Sequence, residues 1–121
     1  MAKADITKRE DIDVLMKSFY GTALRDELIG HHFVEMNLER HLPVIGNFWE
    51  KVLLGNPVYF GNPLVVHRAL HLKAPLKTEH FSRWIEIFKQ TVDRMFEGDI
   101  AEHAKKRAEM IAATLDLRLN E

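Results

Sequence analysis

Apolar residues recur at three- and four-residue spacing through most of this chain, and this helical period is the feature that most restricts its fold. The first stripe follows Thr7 and Glu10, which predict a capping box at the start of a helix. The stripe ends before Gly30, and its members are Ile12, Leu15, Met16, Phe19, Tyr20, Ala23 and Leu24. No segment alternates in the way that a strand requires. The pattern therefore predicts an all-α fold.

A second stripe begins near Leu42, with Pro43 suited to the first turn of a helix and Gly55 suited to its end. Its inward members are Leu42, Ile45, Phe48, Trp49, Val52 and Leu53. The segment 55–63 is rich in Gly, Asn and Pro and predicts a loop, and a short helix is expected from Pro63 to about His71.

Two longer helices complete the prediction. Thr78 is suited to cap a helix that ends at Gly98, and its inward members are Phe81, Trp84, Ile85, Phe88, Val92, Met95 and Phe96. The last helix begins near Ile100, and its inward members are Ala104, Ala108, Ile111, Ala112, Leu115 and Leu119. Helices of this kind must pack face to face in one small domain, which we expect to span residues 1–121.

Composition excludes several functions. The 17 basic and 18 acidic residues leave no charge footprint for a nucleic acid or a membrane. Cysteine is absent, so disulfides, thiolate metal sites, thiol catalysis and covalent haem attachment are excluded, and iron or zinc would need histidine or oxygen ligands. The start, MAKADITKRED, is polar, and no apolar run reaches membrane length, which predicts a cytoplasmic protein.

Histidines and buried polar tips are the remaining chemical signal. His67 and His71 lie one helical turn apart, and they could begin a zinc site whose third ligand is a carboxylate or one of His31, His32 and His41. Tyr20 and Trp84 place a hydroxyl and an indole N–H on inward faces, where a polar group needs a partner. One histidine facing apolar walls and a few donors is the environment that haem requires.

Several stretches carry a family resemblance in the same order. They are Phe19-Tyr20, Phe33, HLPVIGNFWEKVLLG (41–55), YFGNPLVVH (59–67), HFSRWIEIF (80–88) and AKKRAEMIA (104–112). Together they resemble the truncated haemoglobins of group III over about residues 12–115. The resemblance implies a shortened globin fold, a two-over-two helical sandwich around non-covalent haem b.

The resemblance also assigns roles to single residues. Tyr20, Trp84 and His41 match the distal tyrosine, tryptophan and histidine that face a ligand of the iron. The residues expected to line the haem are Phe33 on its plane, Ile45, Phe48 and Trp49 on the distal wall, and Val66 and Leu70 beside the proximal ligand. Pro43 disfavours a helical Leu42, so His41 is expected at the start of its helix, either as a gate or facing solvent.

Two residue counts disagree on the proximal ligand. Counting forward through GNPLVVH selects His67, and counting back from the His80-Phe81 pair selects His71. We favour His67, because additional residues are better tolerated in the loop before Thr78 than within the ligand helix. The other histidines are expected at the surface, namely His31, His32, His80 and His103. Lys105, Lys106 and Arg107 are expected to form a solvated face, and one of them or Arg68 could reach a haem propionate.

The function implied by the resemblance is binding of O2, CO, NO, peroxide or cyanide. Distal donors would slow O2 release, which favours redox chemistry such as NO oxidation or peroxide reduction over O2 transport. Turnover would need an external electron donor, because no flavin or nicotinamide motif is present. Whether the protein is an enzyme stays open. Two alternatives are a His-ligated zinc helical protein and a cofactor-free helical interaction domain.

Overall fold

The computed structural model describes residues 3–34 and 36–120, and over these residues it contains helices and no strand. The five α-helices are α1 (Arg9–Ala23), α2 (Leu38–Leu54), α3 (Pro63–Lys73), α4 (Thr78–Met95) and α5 (Asp99–Leu119). A 3₁₀ turn, Gly30–Phe33, lies between α1 and α2. The all-α prediction is confirmed. No helix among the described residues is both long and apolar enough to cross a membrane.

The helices form two packed pairs. Helix α1 packs on α2, α4 packs on α5, and α1 also lies against α4, so the pairs are stacked. Phe88 of α4 is fully buried where the layers meet. Its ring stacks on Trp49 of α2 with centroids 5.0 Å apart and meets Phe19 of α1 edge-on at 5.6 Å. These aromatic contacts join three helices into the main core.

A smaller apolar cluster lies beneath α3. Its buried members are Leu76, Phe81, Ala112 and Leu115, and Leu64 and Leu70 of α3 pack on it while partly exposed. Trp84 and Ile111 contact both this cluster and the main core. Trp84 therefore stands where the main core gives way to the region under α3.

The start of α1 differs by one position from the sequence prediction. The helix is preceded by Lys8, and the Asp11 carboxylate accepts hydrogen bonds from the backbone N–H groups of Thr7 (2.9 Å) and Lys8 (3.3 Å). The box predicted for Thr7 and Glu10 is therefore wrong, because the aspartate one residue further along reaches these donors. Leu24 was also expected inside, but it follows the helix and is 36% exposed.

Helix α2 begins earlier than predicted. Asn37 caps it by accepting from the Arg40 N–H, so Pro43 lies inside the helix and Leu42 is helical. The expected displacement of Leu42 is wrong. Proline removes one helical donor, but the Pro43 carbonyl gains a hydrogen bond from the Arg9 guanidinium of α1 at 3.0 Å. The predicted end is confirmed, since Gly55 adopts the left-handed conformation (φ 75°) that terminates helices.

Helix α5 is capped by a residue from the other end of the chain. The Asp5 carboxylate accepts from the N–H groups of Ile100 (2.9 Å) and Ala101 (2.8 Å). Ile6 beside it is buried, which anchors the amino-terminal segment on the core. Helix α4 also deviates from the prediction, because Thr78 is its first residue and the helix ends at Met95 rather than Gly98.

Candidate functional site

Helix α3 has no buried side chain, although it is largely apolar. Asn62 caps it by accepting from the Leu64 N–H at 3.0 Å, and Pro63 occupies the first turn. Val65, Val66 and Leu72 are 63%, 55% and 81% exposed. An 11-residue helix is marginal by its own hydrogen bonding and needs packing partners. The protein core supplies few of them, so apolar surface of α3 is left for another group.

His67 is one of two partly buried histidines of α3, and its tautomer follows from its hydrogen bond. Nδ1 lies 2.7 Å from the carbonyl oxygen of Pro63, one turn earlier. A carbonyl can only accept, so Nδ1 carries the hydrogen and donates it, which leaves the lone pair on Nε2. Burial lowers the pKa of His67 despite the opposing effect of this carbonyl, and so favours the neutral ring. A metal ligand needs this neutral ring, oriented by a bond from its other nitrogen.

His71, one turn further along, makes a different hydrogen bond. Its Nδ1 accepts a hydrogen bond from the backbone N–H of Leu76 at 2.9 Å. The lone pair is therefore on Nδ1, and in the neutral ring Nε2 carries the hydrogen. His71 holds the loop after α3 in place, whereas His67 keeps a nitrogen lone pair available.

Tyr20 and Trp84, two of the three predicted distal residues, contact the same phenylalanine. Phe19 meets Tyr20 with ring centroids 4.9 Å apart and Trp84 at 5.7 Å, both edge-on. Tyr20 also contacts Phe33 of the 3₁₀ turn at 5.6 Å. Burial raises the pKa of the Tyr20 hydroxyl, so this group stays protonated and able to donate. The structure thus gathers the predicted Tyr20, Phe33 and Trp84 into one aromatic group.

The other predicted site residues differ in their burial. Ile45 and Phe48 of α2 and Leu70 of α3 are partly buried, and Phe48 contacts Tyr59 at 5.3 Å. Trp49, predicted to line the wall, is only 4% exposed, and its ring stacks on Phe88 within the core. Val66 and His41 are exposed.

A second group of histidines was not predicted from the sequence. His32 was expected at the surface but is buried, and with His31 and His80 it forms the one set of three potential metal ligands found among the described residues. His67 and His71 are not part of it. The adjacent pair His31-His32 was a visible signal, but His80 is distant in sequence and only the fold brings it near.

Comparisons with known proteins identify one family. The family model described as "Bacterial-like globin" matches residues 4–117. The curated group 3 truncated hemoglobin ctb of Campylobacter jejuni is 30% identical over 117 residues, covering 92% of this chain and 90% of that protein. The crystal structure of the group III truncated hemoglobin from Campylobacter jejuni superposes with a TM-score of 0.85 at 29% identity, covering 97% of this chain and 94% of the other.

The chain therefore belongs to the bacterial-like globin family. Within that family its likeness is to the group III truncated haemoglobins, and the two helix pairs form their shortened, two-over-two globin fold. Haem binding follows from membership of the family.

The residues present fit a haem. His67 offers a neutral imidazole with a free lone pair, α3 leaves apolar surface uncovered, and Tyr20 and Trp84 provide polar groups at an otherwise aromatic boundary. An aromatic and aliphatic lining with one histidine ligand and a few donors is the setting in which proteins hold haem.

Proposed function

We propose that this single domain, residues 1–121, holds haem b through Nε2 of His67 and uses it for redox chemistry on small ligands rather than for O2 transport. The observation that carries the ligand assignment is the contrast between two hydrogen bonds. Nδ1 of His67 donates to Pro63, while Nδ1 of His71 accepts from Leu76. Only the first arrangement leaves the lone pair on Nε2 of a neutral ring.

Bound haem would supply an iron that takes up O2, NO, CO, peroxide or cyanide and exchanges electrons. The protein's part is to hold the haem and to polarise its bound ligand. The His67 ring is oriented by the Pro63 carbonyl, one turn before it on the same helix. This bond also makes the imidazole a more basic ligand, because a hydrogen bond from Nδ1–H increases electron density on the ring.

Tyr20 and Trp84 are the proposed distal donors. The Tyr20 hydroxyl stays protonated because burial raises its pKa, and the indole N–H of Trp84 can only donate. Phe19 contacts both rings, and Phe33 contacts Tyr20, so neither donor needs to be ordered when a ligand binds. Preorganised donors hold a ligand that gains negative charge, which slows its release and favours its reaction.

His41 is proposed as a gate rather than a fixed donor. It lies in the first part of α2 and its side chain is exposed, so it can reach the site only by a change of rotamer. Electrons must come from an external donor, because the sequence contains no flavin or nicotinamide motif. A NO- or peroxide-consuming reaction is the class of function that these features support.

Visible absorption spectra of the wild type, His67→Ala and His71→Ala test the ligand assignment. We expect a ferrous five-coordinate Soret band in the wild type and His71→Ala, and loss or a marked shift of that band in His67→Ala. Added imidazole should restore the band of His67→Ala, which separates lost ligation from misfolding. An unchanged band in His67→Ala would transfer the role to His71.

The rate of O2 release tests the distal assignment. Removal of one preorganised donor from an enzyme oxyanion hole lowers kcat by about 10²-fold or more. We therefore expect Tyr20→Phe and Trp84→Phe each to speed O2 release by at least about 10-fold. Tyr59→Phe is the matched control, since Tyr59 contacts Phe48 outside the Phe19 group. Unchanged release from both distal variants would refute this part of the proposal.

A further inference from the structure

A compact histidine cluster contains none of the residues proposed to hold haem, although His32 directly precedes Phe33 and His80 lies one helical turn before Trp84. His31 and His32 come from the 3₁₀ turn and His80 from the first turn of α4. One ring nitrogen of each lies within 4.8 Å of the others. The His32 ring is 4.0 Å from His31 and 4.6 Å from His80, centroid to centroid.

The fold builds this corner through close backbone contact. Gly30, which begins the 3₁₀ turn, lies so near the end of α1 that a Cβ would come within 2.7 Å of the Leu24 carbonyl oxygen. Asp26 fixes the same segment, because its carboxylate accepts from the Ile29 N–H and pairs with Arg83 of α4. The turn is thereby held against α4, with its two histidines near His80.

His32 is the histidine with an unmet bonding requirement. It is 9% exposed, and its Nε2 lies 3.1 Å from the carbonyl oxygen of Pro75. The carbonyl must accept, so Nε2 carries the hydrogen and Nδ1 carries the lone pair. Nδ1 is buried and has no hydrogen-bond partner among the described residues. An unsatisfied buried acceptor is costly, and a histidine fixed by a carbonyl at one nitrogen is typical of metal ligands.

We propose that His31, His32 and His80 bind a divalent transition metal, with Zn²⁺ as the ion that the donors suit best. Zn²⁺ accepts three imidazole ligands and a water in tetrahedral geometry, and it needs no thiolate. Hard cations such as Mg²⁺ and Ca²⁺ prefer oxygen ligands and are disfavoured here. His31 is exposed, which gives the ion a route to the cluster and leaves a fourth position open to water. The site is independent of the proposed haem function.

Binding requires small side-chain movements. Tetrahedral zinc with bonds near 2.05 Å sets ligand nitrogens about 3.3 Å apart. The ring nitrogens of the cluster now lie within 4.8 Å of one another, so they must move closer. His31 is free to rotate because it is exposed. His80 now accepts a hydrogen bond from the Lys77 N–H through Nδ1 at 2.9 Å. This bond is lost if His80 binds the metal through Nδ1, and it is also lost if the ring changes tautomer to bind through Nε2. Zinc binding should therefore loosen the cap of α4 while it ties that helix to the 3₁₀ turn.

Electrostatics around His80 favour a neutral ring. Burial is the largest cause that lowers its pKa, followed by His32, and His31 and Lys77 act in the same direction. Glu79 opposes them but does not reverse the shift. A neutral ring has one nitrogen lone pair, which His80 can offer to a metal only after it gives up the hydrogen bond from the Lys77 N–H.

Calorimetric titration of the full chain with Zn²⁺, after saturation with haemin, tests the proposal. Haemin saturation removes the haem pocket as a competing zinc site. We expect one zinc per chain in the wild type and an affinity at least about 10-fold weaker in His31→Ala, since disturbing even the outer shell of a metal site costs this much. His31 is exposed, so its truncation should not unfold the protein. His103→Ala, which removes an exposed histidine of α5, is the matched control and should bind as the wild type does.

Two further measurements separate this cluster from other histidines. Zn²⁺ should shift the imidazole ¹⁵N resonances of His31, His32 and His80 and leave those of His71 and His103 in place. His67→Ala should retain stoichiometric zinc, because His67 is not in the cluster. Absence of stoichiometric zinc in the wild type, wild-type affinity in His31→Ala, or loss of zinc in His67→Ala would each overturn the proposal.

Discussion

Helices α4 and α3 differ in what holds them in place. Helix α4 has five buried residues, and its Phe88 is fully enclosed by rings from α1 and α2. Helix α3 has none, although it carries the histidine best prepared to bind a metal. The difference indicates that the protein core stabilises α4, and it leads us to expect that α3 depends on bound haem. The helix that carries the proposed haem ligand is thus the one with no buried side chain.

Replacement of leucine by alanine in the packed core and in α3 should give the largest difference in stability. Leu15 of α1 is fully buried and Leu72 of α3 is 81% exposed. In the haem-free protein, Leu15→Ala should lower the free energy of unfolding by about 2 to 5 kcal/mol, because it leaves a cavity in a packed core. Leu72→Ala should change it by no more than about 0.5 kcal/mol. Urea unfolding followed by circular dichroism measures both.

Equal costs for these two leucines would contradict the comparison and mean that α3 is packed as firmly as α1. Val14→Ala provides a control within α1, since Val14 is 54% exposed on the same helix that buries Leu15. It should behave like Leu72→Ala, which would show that burial and not the choice of helix determines the cost.

Haem should stabilise α3 far more than α4. If α3 must open for haem to leave, a free haem concentration about 100 times Kd reduces the open population about 100-fold. Amide hydrogen exchange within Pro63–Lys73 should slow by about that factor, while the core amides around Phe88 change less relative to their own protection. Haem-loaded His67→Ala should lose most of the added protection in α3. Uniform slowing across all five helices would indicate that α3 has no special dependence on haem.

The Asp26–Arg83 pair stabilises the packed part of the molecule, and its contribution should depend on pH. Its carboxylate pairs with Arg83 at 2.8 Å and accepts from the N–H groups of Leu28 and Ile29. The Arg83 hydrogen bond is the largest cause that lowers the pKa of Asp26 below 3.8, and burial opposes it. The stabilisation is therefore present above the unfolded pKa and lost as the pH falls through the folded pKa.

Asp26→Asn should consequently destabilise the protein near pH 7, by less than Leu15→Ala, and the difference from the wild type should vanish once the pH has fallen below the folded pKa of Asp26. Denaturant unfolding at several pH values measures this. A constant difference at all pH values would show that the Asp26 carboxylate stabilises through its shape and not its charge. Because Asp26 also orients the 3₁₀ turn, the variant should weaken zinc binding by the histidine cluster.

Local patterns predicted the helices well, and the errors come from misread local caps and from long-range contacts. The period of apolar residues located four of the five α-helices, and the turn residues before Pro63 indicated the start of α3. Gly55 ended α2 as predicted, because its conformation is a local property. The start of α2 was wrong because Asn37, a local cap, was not recognised. The contact between Arg9 and the Pro43 carbonyl, which joins residues far apart in sequence, then supports Pro43 within the helix. The cap of α5 by Asp5 is also a long-range contact.

The candidate site shows the same division. Spacing and family likeness indicated Tyr20, Phe33 and Trp84, and the fold brings these rings together. The burial of His32 was missed, because its environment is created by the Pro75 carbonyl and by His80. Sequence spacing also could not distinguish His67 from His71, since the distinction lies in which atom bonds each Nδ1.

Apart from the control variants and Leu72→Ala, the smallest expected effect concerns His71. Its Nδ1 accepts from the N–H of Leu76, a buried residue at the start of the cluster beneath α3. His71→Ala should lower the free energy of unfolding by about 1 kcal/mol, the usual contribution of one hydrogen bond, and leave the Soret band unchanged. His103→Ala should cost less, because this exposed histidine has no such bond to replace. If His71→Ala instead abolished the Soret band at little cost in stability, His71 would be the ligand, and its bond to Leu76 would have to break when haem binds.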